Sequence, residues 1–309
     1  MRILVSYRGI PQSPGWSTGD MVVKALRALG HEAYPYAKYY QQSRWVEGFP
    51  TSPHGDAMAL DAHEWDLILY MECNDGDSQY HELQTVRARK TACWLFDTSY
   101  HQDRYKRLVD YFRFDHLFLA NPLTIQEYRV WGYKNAHYLP YACDRELHGR
   151  SLEYPKTRDV VLVGSIRDDR RALATELQRH GVTLELVGDV FREDYIDALA
   201  SAKIVINQNP PEGRGLLNMR FWETQAAGTF VFTEHFDNEM NIEAGIDSRA
   251  MPYESTGEIA AFTKTLLAHD GPHSLNELCK YNQSIVFENH TYQNRCQEML
   301  KTVFPHESN

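Results

Sequence analysis

The chain has 309 residues, 43% of them hydrophobic and 24% charged, and a formal net charge of −10. That length suits two α/β domains, each able to bury its own core, and the composition is that of an ordinary soluble globular protein. The acidic balance disfavours a broad electrostatic grip on nucleic acid, although Arg167, Arg170 and Arg171 leave a small basic groove open. No apolar run approaches the span of a membrane helix, and Met1 leads straight into Arg2–Tyr7, which reads as a first strand and not as a signal peptide. A cytoplasmic protein without membrane insertion is expected. The five cysteines (Cys73, Cys93, Cys143, Cys279 and Cys296) are scattered and form no C-x-x-C pair, so buried free thiols are expected in place of a disulfide framework or a zinc site.

Short apolar runs alternate with longer amphipathic segments, which is the pattern of βαβ units and parallel sheets. In the first half, strands are expected at 2–7, 32–36, 67–71, 92–96, 116–120 and 136–140, with helices at 19–29, 101–112 and 122–131. Residues 37–63 are polar, aromatic and without a clear period, which reads as a long loop. Arg145–Arg158 is charged, contains Pro155 and lacks periodicity, and reads as a linker. A second series follows, with strands at 159–164, 184–188, 204–208, 229–233 and 249–253 and helices at 168–180, 193–202, 218–227 and 256–268. A last helix is expected from about His290 to Val303. The domain expectation is therefore 1–150, 151–289 and a C-terminal helix within 290–309.

In open α/β sheets, ligands bind outside the carboxyl ends of the strands, so the residues there are the candidates. Val163-Gly164-Ser165-Ile166-Arg167 follows a strand and precedes a helix. Gly164 lets a ligand approach the backbone, the helix offers free N–H groups, and Arg170 or Arg171 adds a guanidinium fork for a diphosphate. An ordinary strand–helix turn with solvated arginines is the equally open alternative. Asn207-Gln208-Asn209 ends a strand, a breaker-rich loop follows, and Asn218 is a good helix cap. Met219, Trp222 and Ala226 then form an apolar stripe, and Gly228 ends the helix. Glu223 lies beside that stripe, where a carboxylate needs donors, and the hydroxyl pair of a ribose would supply them. In the first half, Gly15, Trp16, Ser17 and Thr18 lie between the first strand and helix, where they face a sugar or cap the helix. Asp97 ends an apolar strand and His101 starts the next helix. Either can take the proton of an attacking hydroxyl, and either has a capping or exposed-surface alternative. Glu72, Asn74 and Asp75 are weaker candidates of the same kind. No G-x-G-x-x-G and no Walker-type glycine loop is present.

The run Asn218-Met219-Arg220-Phe221-Trp222-Glu223, closed by Ala226-Ala227-Gly228 and an apolar strand, resembles the donor-binding segment of GT-B glycosyltransferases. The likeness is greatest to the spore-maturation-protein (CgeB-like) glycosyltransferase branch, with a more distant similarity to glycosyltransferase family 4. His290-Thr291-Tyr292 with Arg295, Gly132-Tyr133-Lys134-Asn135 with Tyr138-Leu139-Pro140, and Val163-Gly164-Ser165 with Arg170 or Arg171 resemble further parts of that branch, in the same order. Family 4 places two glutamates eight positions apart; Glu223 matches the second, and the first would fall on Gly215, with Glu212 close but out of register.

The resemblance implies two Rossmann-like domains facing across a cleft, with a C-terminal crossover helix. It implies transfer of a sugar, of hexosyltransferase type, from a nucleotide-diphosphate sugar to a hydroxyl acceptor, with no metal and no cofactor. Donor binding would fall to Gly164, Ser165, Arg167, Arg170, Asn207, Asn218, Arg220 and Glu223, with Glu223 on the ribose, while Asp97 or His101 acts as base and 15–18 faces acceptor or sugar. The acceptor is open among glycan, small molecule, protein and modified nucleic acid. Two alternatives stand beside this reading: a non-catalytic nucleotide-sugar-binding protein on the same scaffold, and a glycosyltransferase acting on modified nucleic-acid bases.

Overall fold

Strands that are apolar on both faces pair in parallel because helices must cover each side. The computed structural model shows this twice, and it describes residues 1–8, 15–38, 60, 63–71, 83–99, 102–209, 213, 216–234, 251–268 and 275–306. The chain divides into two compact units, one formed by Met1–Pro140 with Tyr292–Asn309 and the other by Tyr141–Thr291.

The first unit carries a six-stranded sheet of β1 (Arg2–Arg8), β2 (Glu32–Lys38), β3 (Trp65–Met71), β4 (Ala88–Leu95), β5 (His116–Leu119) and β6 (Ala136–Tyr138). All pairings are parallel, in the order β2-β1-β3-β4-β5-β6. Helix α1 (Thr18–Ala28) starts with a capping box, in which Ser17 accepts from the Asp20 N–H and Asp20 accepts from the Ser17 N–H. Asp20 also accepts from the Tyr7 hydroxyl at 2.7 Å, tying the helix start to the end of β1. Helix α2 (Gln102–Phe112) and the short α3 (Ile125–Val130) follow. The expected helix 122–131 is divided. Asn121 caps a 3₁₀ turn at Pro122–Thr124, and α3 begins only after it.

The second unit contains α4 (Arg145–His148), β7 (Arg158–Val163), α5 (Asp168–Arg179), β8 (Glu185–Val187), α6 (Glu193–Ala200), β9 (Ala202–Asn207), α7 (Met219–Ala226), β10 (Phe230–Glu234), β11 (Met251–Tyr253), α8 (Thr256–Ala268) and α9 (Leu275–Asn289). Its five strands are again all parallel, in the order β11-β10-β9-β7-β8. The core gathers Val160, Leu162, Ile204, Ile206, Phe230 and Phe232 of the strands against Leu177 and Ile259 of the helices. Helix α10 (Tyr292–Val303) belongs to the first unit, where it packs on α1.

Three local differences from the sequence expectation have physical causes. The segment read as a linker begins with α4, a single turn that Asp144 caps by accepting from the N–H groups of Glu146 and Leu147. Helix α9 had no expectation because its buried positions are Cys279, Asn282 and Val286, only one of which is strongly apolar. Met219, assigned to the core stripe of α7, is 36% exposed, whereas Phe221 through Ala226 are all buried. Past its first turn this helix lies inside the unit on every side, so a stripe was the wrong pattern to seek. Gly228 takes φ +70° and closes α7, with the Thr229 N–H returning to the Thr224 carbonyl at 3.1 Å. Among the described residues no helix is long and apolar enough to cross a membrane. Cys93, Cys143, Cys279 and Cys296 are buried free thiols, while Cys73 lies outside the described residues.

Candidate functional site

In the second unit, β7 pairs with β8 on one side and β9 on the other, so the order of the strands reverses between β7 and β9. Crossover helices leave such a sheet on opposite faces at that point and open a crevice at the strand carboxyl ends. Gly164 follows β7 there and Asn207 ends β9.

Gly164 adopts φ +125°, a region that residues with a Cβ avoid. A Cβ at this position would stand 2.6 Å from Nη2 of Arg220 and 3.1 Å from Nη1 of Arg170, so two guanidinium groups close on the same patch of backbone. Arg170, 3% exposed, is held by donation to the carbonyls of Ser165 (2.7 Å) and Gln208 (3.0 Å). Arg220 donates to Asn207 Oδ1 at 3.3 Å. Burial, Arg220 and Arg167 push the Arg170 guanidinium down to about 10, against the opposing influence of Asp169 and Glu234. Both arginines carry a buried Nε–H with no acceptor among the described residues. Two like charges placed together at the end of a strand suit an anion with several oxygens.

The surrounding polar residues fix this pair. Asn209 donates to the Leu216 carbonyl at 2.7 Å and accepts from Asn218, whose own Oδ1 caps α7 by accepting from the Phe221 N–H. Asn207 also donates to Thr233 on β10 at 3.3 Å. Of the neighbouring arginines 170 and 171, only Arg170 enters the site; Arg171 is exposed on α5 beside Asp168. Arg167 holds Asp169 through two bonds of 3.0 and 2.7 Å and keeps that carboxyl below its usual range. Ser165 is exposed and contributes its carbonyl to Arg170.

Glu223 is 3% exposed, and the donors that a carboxylate at this depth demands come from the unit itself. Tyr195 on α6 donates to Oε2 at 2.6 Å, and Nε2 of His148 stands 3.5 Å from Oε1. The phenol of Tyr195 is raised well above its usual range by burial and by Glu223. The Nδ1 of His148 accepts the Asp144 N–H at 2.9 Å, so the neutral ring carries its proton on Nε2, toward Glu223.

In the first unit, Asp97 is exposed beyond the carboxyl end of β4, and its neighbour Thr98 is anchored by a buried 2.8 Å contact with Thr124. His101, Glu72, Asn74 and Asp75 lie outside the described residues. Ser17 and Thr18 are buried, and the Ser17 hydroxyl is committed to Asp20 at 2.7 Å, which leaves Gly15 exposed and Trp16 half-buried at the surface of this turn. The next residue, Gly19, receives the Tyr7 ring, whose Cγ lies 2.0 Å from where a Cβ would stand. Tyr195 and His148 were not singled out from sequence. Gln208 and Asn209, read from sequence as strand-end candidates, continue β9 past its carboxyl end. Among the described residues no three His, Cys, Asp or Glu side chains cluster as metal ligands.

Residues 145–301 match the model of a family described as glycosyl transferase-like. No curated protein matches the chain. Among solved structures, Anabaena HepE in complex with UDP-glucose is 14% identical, with a TM-score of 0.62 over 98% of this chain and 99% of that one. A glycosyltransferase from Rickettsia africae is 12% identical, with a TM-score of 0.59 over 100% and 99% of the two chains. AviGT4, a glycosyltransferase involved in avilamycin A biosynthesis, is 15% identical, with a TM-score of 0.58 over 98% and 96%. At such identities the likeness is one of fold, and it places the two parallel α/β units in the GT-B class. With just over half of its length matched by the family model, the chain belongs to the glycosyl transferase-like family.

Proposed function

We propose that this chain transfers a hexosyl group from a nucleoside-diphosphate sugar to a hydroxyl acceptor, without a metal, as a member of the spore-maturation-protein branch that its motifs resemble. The observation that carries the reading is the Arg170–Arg220 pair around Gly164 at the point of strand-order reversal. In the reaction the bond from the anomeric carbon to the diphosphate breaks, and the acceptor oxygen bonds to that carbon and loses its proton. Arg170 and Arg220, whose Nη groups close on Gly164, take the charge that develops on the departing diphosphate. Gly164 keeps the backbone clear for it, and Asn207 and Asn218 hold Arg220 and the start of α7. Asp97 is the base that the described residues offer, with His101 the alternative. The UDP-glucose bound by HepE makes uridine diphosphate sugars the first donors to assay.

The test is thermal melting against nucleoside diphosphates and their sugars. A ligand at a hundred times its dissociation constant adds about 2.7 kcal/mol to stability. A selective rise, lost in Arg170→Ala and Arg220→Ala, is expected, followed by acceptor-dependent release of nucleoside diphosphate that EDTA leaves unchanged. No rise with any donor refutes the reading. Donor binding without turnover across a broad acceptor panel would replace it with a non-catalytic nucleotide-sugar-binding protein, and loss of turnover in EDTA would refute metal independence.

A further inference from the structure

We propose that Asn209 is a positioning residue that acts through Asn218 to set the start of α7, and with it the place of Arg220 against Gly164. This rests on the donor reading above and goes beyond it. Asn209 is buried and uses both ends of its amide. Its Nδ2 donates to the Leu216 carbonyl at 2.7 Å, and since a carbonyl can only accept, the orientation of the amide is fixed. Its Oδ1 then faces Asn218 and accepts from the Nδ2 of that residue. This leaves the Asn218 Oδ1 for the Phe221 N–H, the bond that caps α7. The links run from a backbone carbonyl to a backbone N–H, and each amide is oriented by the one before it. Aspartate at 209 would set an acceptor against the Leu216 carbonyl, and leucine would leave that buried residue's carbonyl without its donor.

Asn207, at the end of β9, repeats the arrangement. Its Nδ2 donates to Thr233 on β10 at 3.3 Å, and its Oδ1 accepts from Arg220 at 3.3 Å. Asn207 and Asn209 thus offer two acceptors in succession to Asn218 and Arg220, which are spaced alike at the start of α7. One bond fixes where the helix begins, and the other fixes where its guanidinium points. The cap alone cannot locate the helix, because it joins Asn218 to Phe221 and would travel with them. The bond to Asn209 ties that cap to the end of β9. Little slack is tolerated, since Nη2 of Arg220 stands 2.6 Å from where a Cβ of residue 164 would be. A first turn released from Asn209 carries the guanidinium off that patch of backbone. A buried chain of amides transmits position because every member has both neighbours satisfied.

The experiment separates the tether from the cap. Asn218→Ser keeps an oxygen that caps a helix as well as asparagine does, but its hydroxyl is too short to reach Asn209. Asn209→Leu removes the same bond from the other side. Wild type, both variants and the double variant are melted without ligand. Each is then titrated calorimetrically with whichever of UDP, GDP and ADP raises the wild-type melting temperature most. The expected result for Asn218→Ser is an unchanged ligand-free melting temperature and an affinity for the diphosphate lower by about tenfold or more. The double variant should bind no more weakly than Asn209→Leu, because the second change removes a bond already lost. Wild-type affinity in Asn218→Ser would show that Asn218 only caps, and would overturn the inference. So would an affinity loss accompanied by a clear fall in melting temperature, or losses that multiply in the double variant. Should Asn209→Leu fail to fold, Asn218→Ser decides alone. A wild-type chain that binds none of the diphosphates overturns the donor reading, and this inference with it.

Discussion

Gly164→Ala is the substitution that tests the site most directly. The new Cβ meets two different obstacles. The first is the backbone, because φ +125° is a region that side chains rarely adopt, and holding alanine there costs about 1–3 kcal/mol. For a unit of this size each kcal/mol lowers the melting temperature by roughly 2–4 °C. The second is contact with Arg220 Nη2 at 2.6 Å and Arg170 Nη1 at 3.1 Å. Both are ends of flexible side chains and can withdraw, but Arg170 is tethered by two carbonyls, so Arg220 is the one that moves. Its withdrawal removes a charge-assisted bond to the diphosphate, worth about 1.5–3 kcal/mol, or roughly 10- to 150-fold in affinity. Denaturant melts and calorimetric titration with the nucleoside diphosphate separate the two effects. Gly228→Ala is the control. Its φ of +70° and a Leu152 methyl at 3.0 Å predict lost stability with affinity unchanged. A Gly164→Ala protein that is destabilised but binds the diphosphate as tightly as wild type would refute the placement of the anion between the two arginines.

Arg220→Met should weaken the diphosphate tenfold or more while leaving the ligand-free melting temperature unchanged or raised, because it relieves the repulsion that, after burial, contributes most to holding Arg170 down to about 10; a clear fall in that temperature would count against the charge argument. Gly19→Ala should destabilise the first unit by about 1–3 kcal/mol or more, since its Cβ would sit 2.0 Å from the Tyr7 ring carbon, and a melt close to wild type would contradict that packing. Lys156 donates to the carbonyls of Ala200 and Gly228 and to Thr229 Oγ1 at 2.8 to 2.9 Å, yet burial pushes it down to about 8 from its ordinary 10.5. Between those values the unfolded chain binds the proton and the folded one does not, so wild-type stability relative to Lys156→Met should grow as pH rises from 8 to 10.5. A difference that shrinks over that window would mean that the three acceptors outweigh burial.

The strands were the most legible part of the sequence. Runs such as Trp65–Met71 and Arg158–Val163 are apolar on both faces, and that pattern belongs to few structures other than a covered parallel strand. Helices were legible where one face is apolar and the start is capped, as in α1 with Ser17 and Asp20. They were not where burial is achieved by residues such as Cys279 and Asn282. Within the site, Gly164, Arg170 and Arg220 follow from strand ends and helix starts, which are local features. The partners of Glu223 do not: Tyr195 is 28 residues away and His148 still further, the latter in a segment that read as a linker. A buried carboxylate announces that it needs donors, but it does not say whether they come from a ligand or from the chain.

The motif from Asn218 to Glu223 makes the same point from within. Asn218 caps the helix, Phe221 and Trp222 fill the core, the Trp222 ring lies 4.5 Å from that of His290, and Glu223 binds Tyr195 and His148. Arg220 donates to Asn207 at 3.3 Å and keeps a buried Nε–H without an acceptor among the described residues. The letters that make the motif recognisable are therefore mostly those that hold the helix in place, and the one proposed to meet the diphosphate is among the least buried of them. It follows that Arg220→Lys is not a mild change. It keeps the charge but loses the planar fork that reaches Asn207 and the diphosphate together, and it should fail in binding nearly as fully as Arg220→Met.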